Sequence, residues 1–195
     1  MSHQIALIIV DMMKVYFHPQ SEKLAPSRNM DMVSRNIKTL LDECRKQKIP
    51  VIYSNDAFCP AEASTEPHFK IMGVHGVKGD PLSEVIDLIA PIESDFVIEK
   101  RIYDGFFETR LDTVLRNLGV DTVIVTGTWT NGCVQHTVWR AFAHSYHPIV
   151  VTDAVTCPDD NEQNYALKYM ERFYAAKLVN LSEALNIIKN IKSAL

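Results

Sequence analysis

The sequence has no C-x-x-C pair, no excess of basic charge and no apolar run near the roughly 18 residues of a membrane span. Each absence excludes something. The cysteines Cys44, Cys59, Cys133 and Cys157 are too scattered for a zinc site or a disulfide framework, so each is a packed thiol or a reactive one. With 20 basic against 24 acidic residues there is no electropositive footprint, and no nucleic-acid partner is expected. The first apolar run, Ile5–Val10, stops at Asp11, and Met1–Gln4 has no basic n-region. No signal peptide or membrane partner is expected, and the expected location is cytoplasmic. What remains is an ordinary globular composition, 47% hydrophobic over 195 residues, enough for one domain spanning 1–195.

Short apolar runs alternate with helix-period segments. Ile5–Val10 reads as a buried strand, and Asn29 as the cap of a helix from Met30 to about Lys48. Val51–Tyr53, Phe96–Ile98, Val120–Thr126, Ile149–Thr152 and Lys177–Val179 read as further strands. Helices are expected at Leu82–Ala90, Thr109–Leu118, Asn131–Ser145, Asn161–Ala175 and Ser182–Ile191, the last capped by Ser182. Residues 54–80 lack periodicity and are punctuated by Pro60, Pro67, Gly73, Gly76 and Gly79; a loop this long is usually functional. The alternation predicts an α/β fold: a three-layer, Rossmann-like doubly wound sheet of about six parallel strands with helices on both faces.

In such a sheet a site lies beyond the carboxyl ends of the strands. Asp11 follows the first strand, Lys100 the third, and Cys133 lies in the turn after the fourth. Singly, each has a plain reading as a loop carboxylate, a solvated charge beside Glu99, Arg101 and Asp104, or a packed thiol. Together they place a carboxylate, an ammonium and a nucleophile at three ends of one sheet. Thr130 and Asn131 are good caps, which puts Cys133 in the first turn of its helix, where free N–H groups and the dipole favour a thiolate. Gly132 leaves room for a substrate carbonyl. A Cys133–His136 thiol–imidazole pair is the alternative, but it leaves Asp11 and Lys100 without a role. The glycines Gly73, Gly76 and Gly79 match neither a dinucleotide nor a P-loop fingerprint. The histidines, His68 and His75 on the loop among them, do not group at metal spacing.

These residues resemble the isochorismatase-like cysteine hydrolases. The resemblance rests on Leu7-Ile8-Ile9-Val10-Asp11-Met12, on Glu99-Lys100-Arg101 with Tyr103-Asp104-Gly105-Phe106-Phe107, and on Gly127-Thr128-Trp129-Thr130-Asn131-Gly132-Cys133-Val134. It covers about residues 5–155. It implies an Asp–Lys–Cys triad of Asp11, Lys100 and Cys133, and homo-oligomers, dimer or tetramer. A tetrahedral intermediate needs two donors; the backbone N–H groups of Cys133 and Trp129 are expected to supply them across a cis Thr128–Trp129 peptide, which the resemblance also implies. Phe17, Asp56, Tyr103, Phe106, Trp129 and His136 are the expected pocket wall. Trp139 and Phe142, three apart on one helix face, pack on the core or reach a subunit interface.

Members that cleave the vinyl ether of isochorismate lack the cysteine, so Cys133 favours the branch acting on C–N bonds of small carboxamides or ureido compounds. Nicotinamidases of the family carry a metal on a D-x-H motif. Here the matching stretch is Asp56-Ala57-Phe58, and neither His68 nor His75 alone rebuilds the site. No metal and no cofactor are therefore expected. A nicotinamidase with an altered metal site, an isochorismatase-type hydrolase and a non-enzymatic thiol sensor or scaffold stand as rivals.

Overall fold

The computed structural model describes residues 4–17, 24 and 27–190. Six parallel strands form one sheet: β1 Ile5–Val10, β2 Val51–Asp56, β3 Phe96–Lys100, β4 Thr122–Thr128, β5 His147–Thr156 and β6 Lys177–Val179, in the order β3-β2-β1-β4-β5-β6. The strand β1 shows why the chain is apolar without alternation. Ile5, Leu7 and Ile9 enter one core layer, while Ala6 and Ile8, with Val10, enter the other. A strand covered on both faces has no polar side to show.

The first layer lies under α1 Met30–Gln47 and α6 Leu181–Asn190. The second lies under α3 Leu111–Asn117, α4 Gln135–Ala143 and α5 Asp160–Phe173. This is the doubly wound, Rossmann-like sheet with helices on both faces that the alternation predicts. Among the described residues no helix is long and apolar enough to cross a membrane.

Differences from the sequence reading have local causes. The strands β2, β3 and β5 run further than their apolar cores, because ladder pairing carries polar residues such as Asn55, Asp56 and Lys100 to the sheet's end. The segment read as a helix near Leu82–Ala90 is two 3₁₀ turns, Pro81–Ser83 and Asp87–Ile89. Between them Val85 bridges to Met13, and Ile86 N–H donates to the Met12 carbonyl, so tertiary pairing holds the chain extended. Asn29 precedes α1 in a left-handed conformation (φ 53°) without a side-chain cap bond. Asn180, not Ser182, caps α6: its side chain accepts from Glu183 N–H, and the Glu183 carboxylate accepts from Asn180 N–H. Ile191, the predicted last residue of that helix, lies outside the described residues. The aperiodic stretch 54–80 contains a 3₁₀ turn, Pro60–Ser64, and the short helix α2, His68–Met72.

Two glycines set the distances on which the site depends. At Gly127 (φ 112°) an added Cβ would collide with the Val10 carbonyl oxygen and stand 2.7 Å from the Val10 nitrogen. Gly76 (φ 63°) lets the 54–80 segment close onto β2; a Cβ there would stand 2.8 Å from Asp56 Cβ.

Candidate active site

The carboxyl ends of four adjacent strands converge on one buried cluster. At the end of β1, Asp11 turns into the left-handed region (φ 48°), with its N–H still donating to the Ser54 carbonyl. At the end of β3, Lys100 is buried, its Nζ 2.7 Å from Asp11 Oδ2 and 3.5 Å from Cys133 Sγ. The same ammonium is paired with Asp56, the last residue of β2. Beyond β4, a π turn, Thr130–Val134, carries Cys133, which is 7% exposed. The turn is closed by Gly132 and Val134 N–H donating to the Trp129 carbonyl, at 3.0 and 3.1 Å.

The electrostatics divide the labour between the two acids. Burial, reinforced by the charge of Asp56, lifts the Asp11 carboxyl to about 6 despite the pull of Lys100. Burial also opposes ionisation of Asp56, but Lys100 and His75 outweigh it and hold that carboxylate well below the usual range. Burial alone would lower the Lys100 ammonium; the charges of Asp11 and Asp56 instead keep it well above its ordinary value. The Cys133 thiol is pushed well up, by burial first and then by Asp11. Both effects favour the thiol over the thiolate at Cys133. Burial and the charge of Asp11 thus oppose the thiolate expected from the helix turn.

The 54–80 segment adds a second constellation, which periodicity and motif spacing did not reveal. His75, placed by Gly76, has Nε2 3.4 Å from Asp56 Oδ2, and His68 Nε2 stands 3.3 Å from His75 Nε2. Asp56, His68 and His75 thus offer three donor atoms that lie within 4.8 Å of one another. His75 Nδ1 donates to the Gly73 carbonyl at 2.7 Å, which aims the other ring nitrogen at the cluster. Two metal–ligand bonds of about 2.0–2.1 Å meeting near the tetrahedral angle separate their donors by about 3.3–3.4 Å. The His68–His75 and His75–Asp56 separations match that measure for a small divalent cation, and the third lies within 4.8 Å. Phe58 does stand where the D-x-H motif has histidine, but α2 and the following turn bring His68 and His75 to Asp56 together.

The expected pocket residues divide. Trp129 leads into the turn that carries Cys133 after a cis Thr128–Trp129 peptide, its ring edge-on to Tyr16 with centroids 6.3 Å apart. Tyr103 lies edge-on to His68 at 4.9 Å and tilted against His136 at 5.3 Å. His136 is exposed, its Nδ1 bonded to the Gly132 carbonyl, while Cys133 faces Lys100 and Asp11. Asp56 is a partner of Lys100 rather than a wall. Phe106 is buried in the second core layer, stacked on His144 with centroids 5.5 Å apart. Phe17 lines a different hollow, with Lys14, Arg35 and Ile86, because the 3₁₀ turn Lys14–Phe17 points it toward α1. Thr130 and Asn131 do not cap the turn: the Thr130 hydroxyl is buried without a hydrogen-bond partner, and the Asn131 amide reaches Glu162. Thr128 anchors the turn instead, its hydroxyl on Ser27 at 2.7 Å and on the Thr156 carbonyl at 3.0 Å.

Known proteins share this arrangement of chain. Residues 5–181 match the model of the isochorismatase domain. Ureidoacrylate amidohydrolase RutB of Yersinia enterocolitica is 31% identical over 190 residues, covering 87% of this chain and 83% of the relative. The crystal structure of N-carbamoylsarcosine amidase from Thermoplasma acidophilum is 35% identical and superposes with a TM-score of 0.79, over 91% of this chain and 96% of that one. Nicotinamidase from Bacillus subtilis, at 19% identity and a TM-score of 0.83 over 91% of this chain and all of that one, shares the fold. With the match running from the first strand to the start of α6, the chain belongs to the isochorismatase family.

Proposed function

We propose that this family member is a cysteine amidohydrolase that cleaves the C–N bond of a small carboxamide or ureido compound and releases ammonia. The observation that carries the reading is Lys100 Nζ between Asp11 and Cys133, 2.7 and 3.5 Å away, in a buried site. Asp11 takes the thiol proton as Sγ attacks the carbonyl carbon. An acid held near pH 6 can accept that proton and return it. The backbone N–H groups of Trp129 and Cys133 receive the developing oxyanion. Protonated Asp11 then gives its proton to the departing amine, leaving a thioester or thiocarbamate on Cys133. Water, deprotonated by Asp11, cleaves that bond and restores the thiol. Lys100 holds Asp11 in place and counters negative charge through the cycle. Relatives named for ureidoacrylate and N-carbamoylsarcosine support a carbamoyl or carboxamide substrate.

A second reading, a metal-bearing amidase of the nicotinamidase kind, is favoured by the convergence of Asp56, His68 and His75. Those three side chains would hold the ion. When bound, it would supply a Lewis acid able to polarise a nearby substrate atom. Ammonia release, measured over a panel of small amides and ureides with and without a chelator, separates the two readings. Turnover that survives chelation supports the first, and turnover lost on chelation and restored by zinc supports the second. No ammonia from any amide or ureide would overturn both.

A further inference from the structure

The least expected partner of the cluster is a tyrosine. Tyr16 lies in the 3₁₀ turn Lys14–Phe17, five residues after Asp11, and is 4% exposed. Its hydroxyl donates to Asp56 Oδ2 at 3.2 Å. The ring is edge-on to His75 with centroids 6.2 Å apart, and edge-on to Trp129 on its other side. A buried phenol needs an acceptor, yet this one is aimed at a carboxylate that already faces Lys100 and His75.

The directions of those contacts matter more than their number. A carboxylate has about four lone-pair sites. Lys100 occupies the Oδ1 side of Asp56, and Tyr16 takes one site on Oδ2. What remains on Oδ2 faces Nε2 of His75, whose Nδ1 donates to the Gly73 carbonyl. Without the phenol, Oδ2 could turn toward Lys100 and leave the histidines facing nothing.

We infer that Tyr16 is a positioning residue for a divalent metal ion held by Asp56, His68 and His75, orienting one carboxylate oxygen toward the two histidine nitrogens. The inference rests on the metal-bearing reading above and adds to it a residue outside the ligand set. It also links the two constellations: the loop leaving β1 supplies Asp11 to the nucleophile and, one turn later, Tyr16 to the metal ligand.

The test is zinc affinity, measured by competition with a chromophoric chelator in Cys133→Ala protein so that the thiol cannot serve as a ligand. Tyr16→Phe keeps the ring and removes the hydroxyl. Binding weaker by about 10- to 100-fold is expected, the usual effect of losing a partner of a ligand. The midpoint of thermal unfolding of the metal-free protein, compared for the two proteins, should differ little, which a merely structural tyrosine would not allow. His68→Ala, which removes a ligand, should weaken zinc at least as much. Equal zinc affinity with and without the Tyr16 hydroxyl would overturn the inference and leave the metal-bearing reading standing. Failure of the Tyr16 parent protein to bind zinc, or binding that His68→Ala does not change, would overturn both.

Discussion

Asp56 donates its backbone N–H to Asp11 Oδ1 at 2.8 Å, so the two acids that share Lys100 are also tied to each other through the chain. Neither carboxylate can move without disturbing the other's partner. One ammonium serves two buried acids, and in the proposed mechanism the proton goes to Asp11.

Removing that ammonium should cost far more than removing an ion pair at the surface. Lys100→Met leaves two carboxylates buried without their counter-charge, and a loss of about 3–5 kcal/mol is expected. Urea unfolding at pH 7 measures it. Adding Asp56→Asn to the same protein should restore part of the loss; a double variant no more stable than Lys100→Met would contradict the shared-charge account.

The nucleophile itself should be dispensable for folding. Cys133→Ala is expected to lower ammonia release by about 10³-fold or more while leaving the unfolding midpoint within a few degrees. Activity near the parent level in that variant would rule out the cysteine mechanism.

Turnover should rise with pH through the titration of Asp11. The carboxyl, lifted to about 6 by burial and the Asp56 charge, must be ionised to receive the thiol proton. Below that value kcat/KM should fall about tenfold per pH unit, and above it level off. A profile flat down to pH 4 would show that another group takes the proton.

Asn180→Ala should cost about 1 kcal/mol by opening the reciprocal bonds with Glu183, whereas Ser182→Ala, inside the first turn of α6, should cost much less. Denaturant midpoints of the two variants decide between the caps.

Trp139 and Phe142 stay 39% and 43% exposed on α4, with the Arg140 guanidinium 4.5 Å from the Trp139 ring centroid. Core packing does not use them. A dimer or tetramer is the expected assembly, and sedimentation showing a monomer at micromolar concentration would refute it.

Much of this is legible in the amino-acid sequence. Strand β1 and strand β6 match their apolar runs, and Asp11, Lys100 and Cys133 could be named because each directly follows or lies just beyond such a run. Apolar runs are what periodicity reports, and these three buried residues sit where those runs stop. His68, His75 and Tyr16 could not be named the same way. They sit in a turn and a segment without periodicity, and Gly76 lets the histidine-bearing segment close on Asp56. The two loop histidines were visible in sequence; that both reach Asp56 was not. Aromatic composition likewise counts rings without directions, which is why Phe17 and Phe106 face other parts of the molecule.

The anchoring of Thr128 to the Thr156 carbonyl has a consequence for chains made shorter. Every group to which the proposed mechanism assigns a step lies at or before Cys133, yet the hydroxyl of Thr128, just ahead of the turn that carries Cys133, bonds to the last residue of β5, 28 positions later. A fragment ending after Val134 would hold the whole chemical inventory without that clamp. Thus a segment to which the proposed mechanism assigns no step holds the turn that carries Cys133.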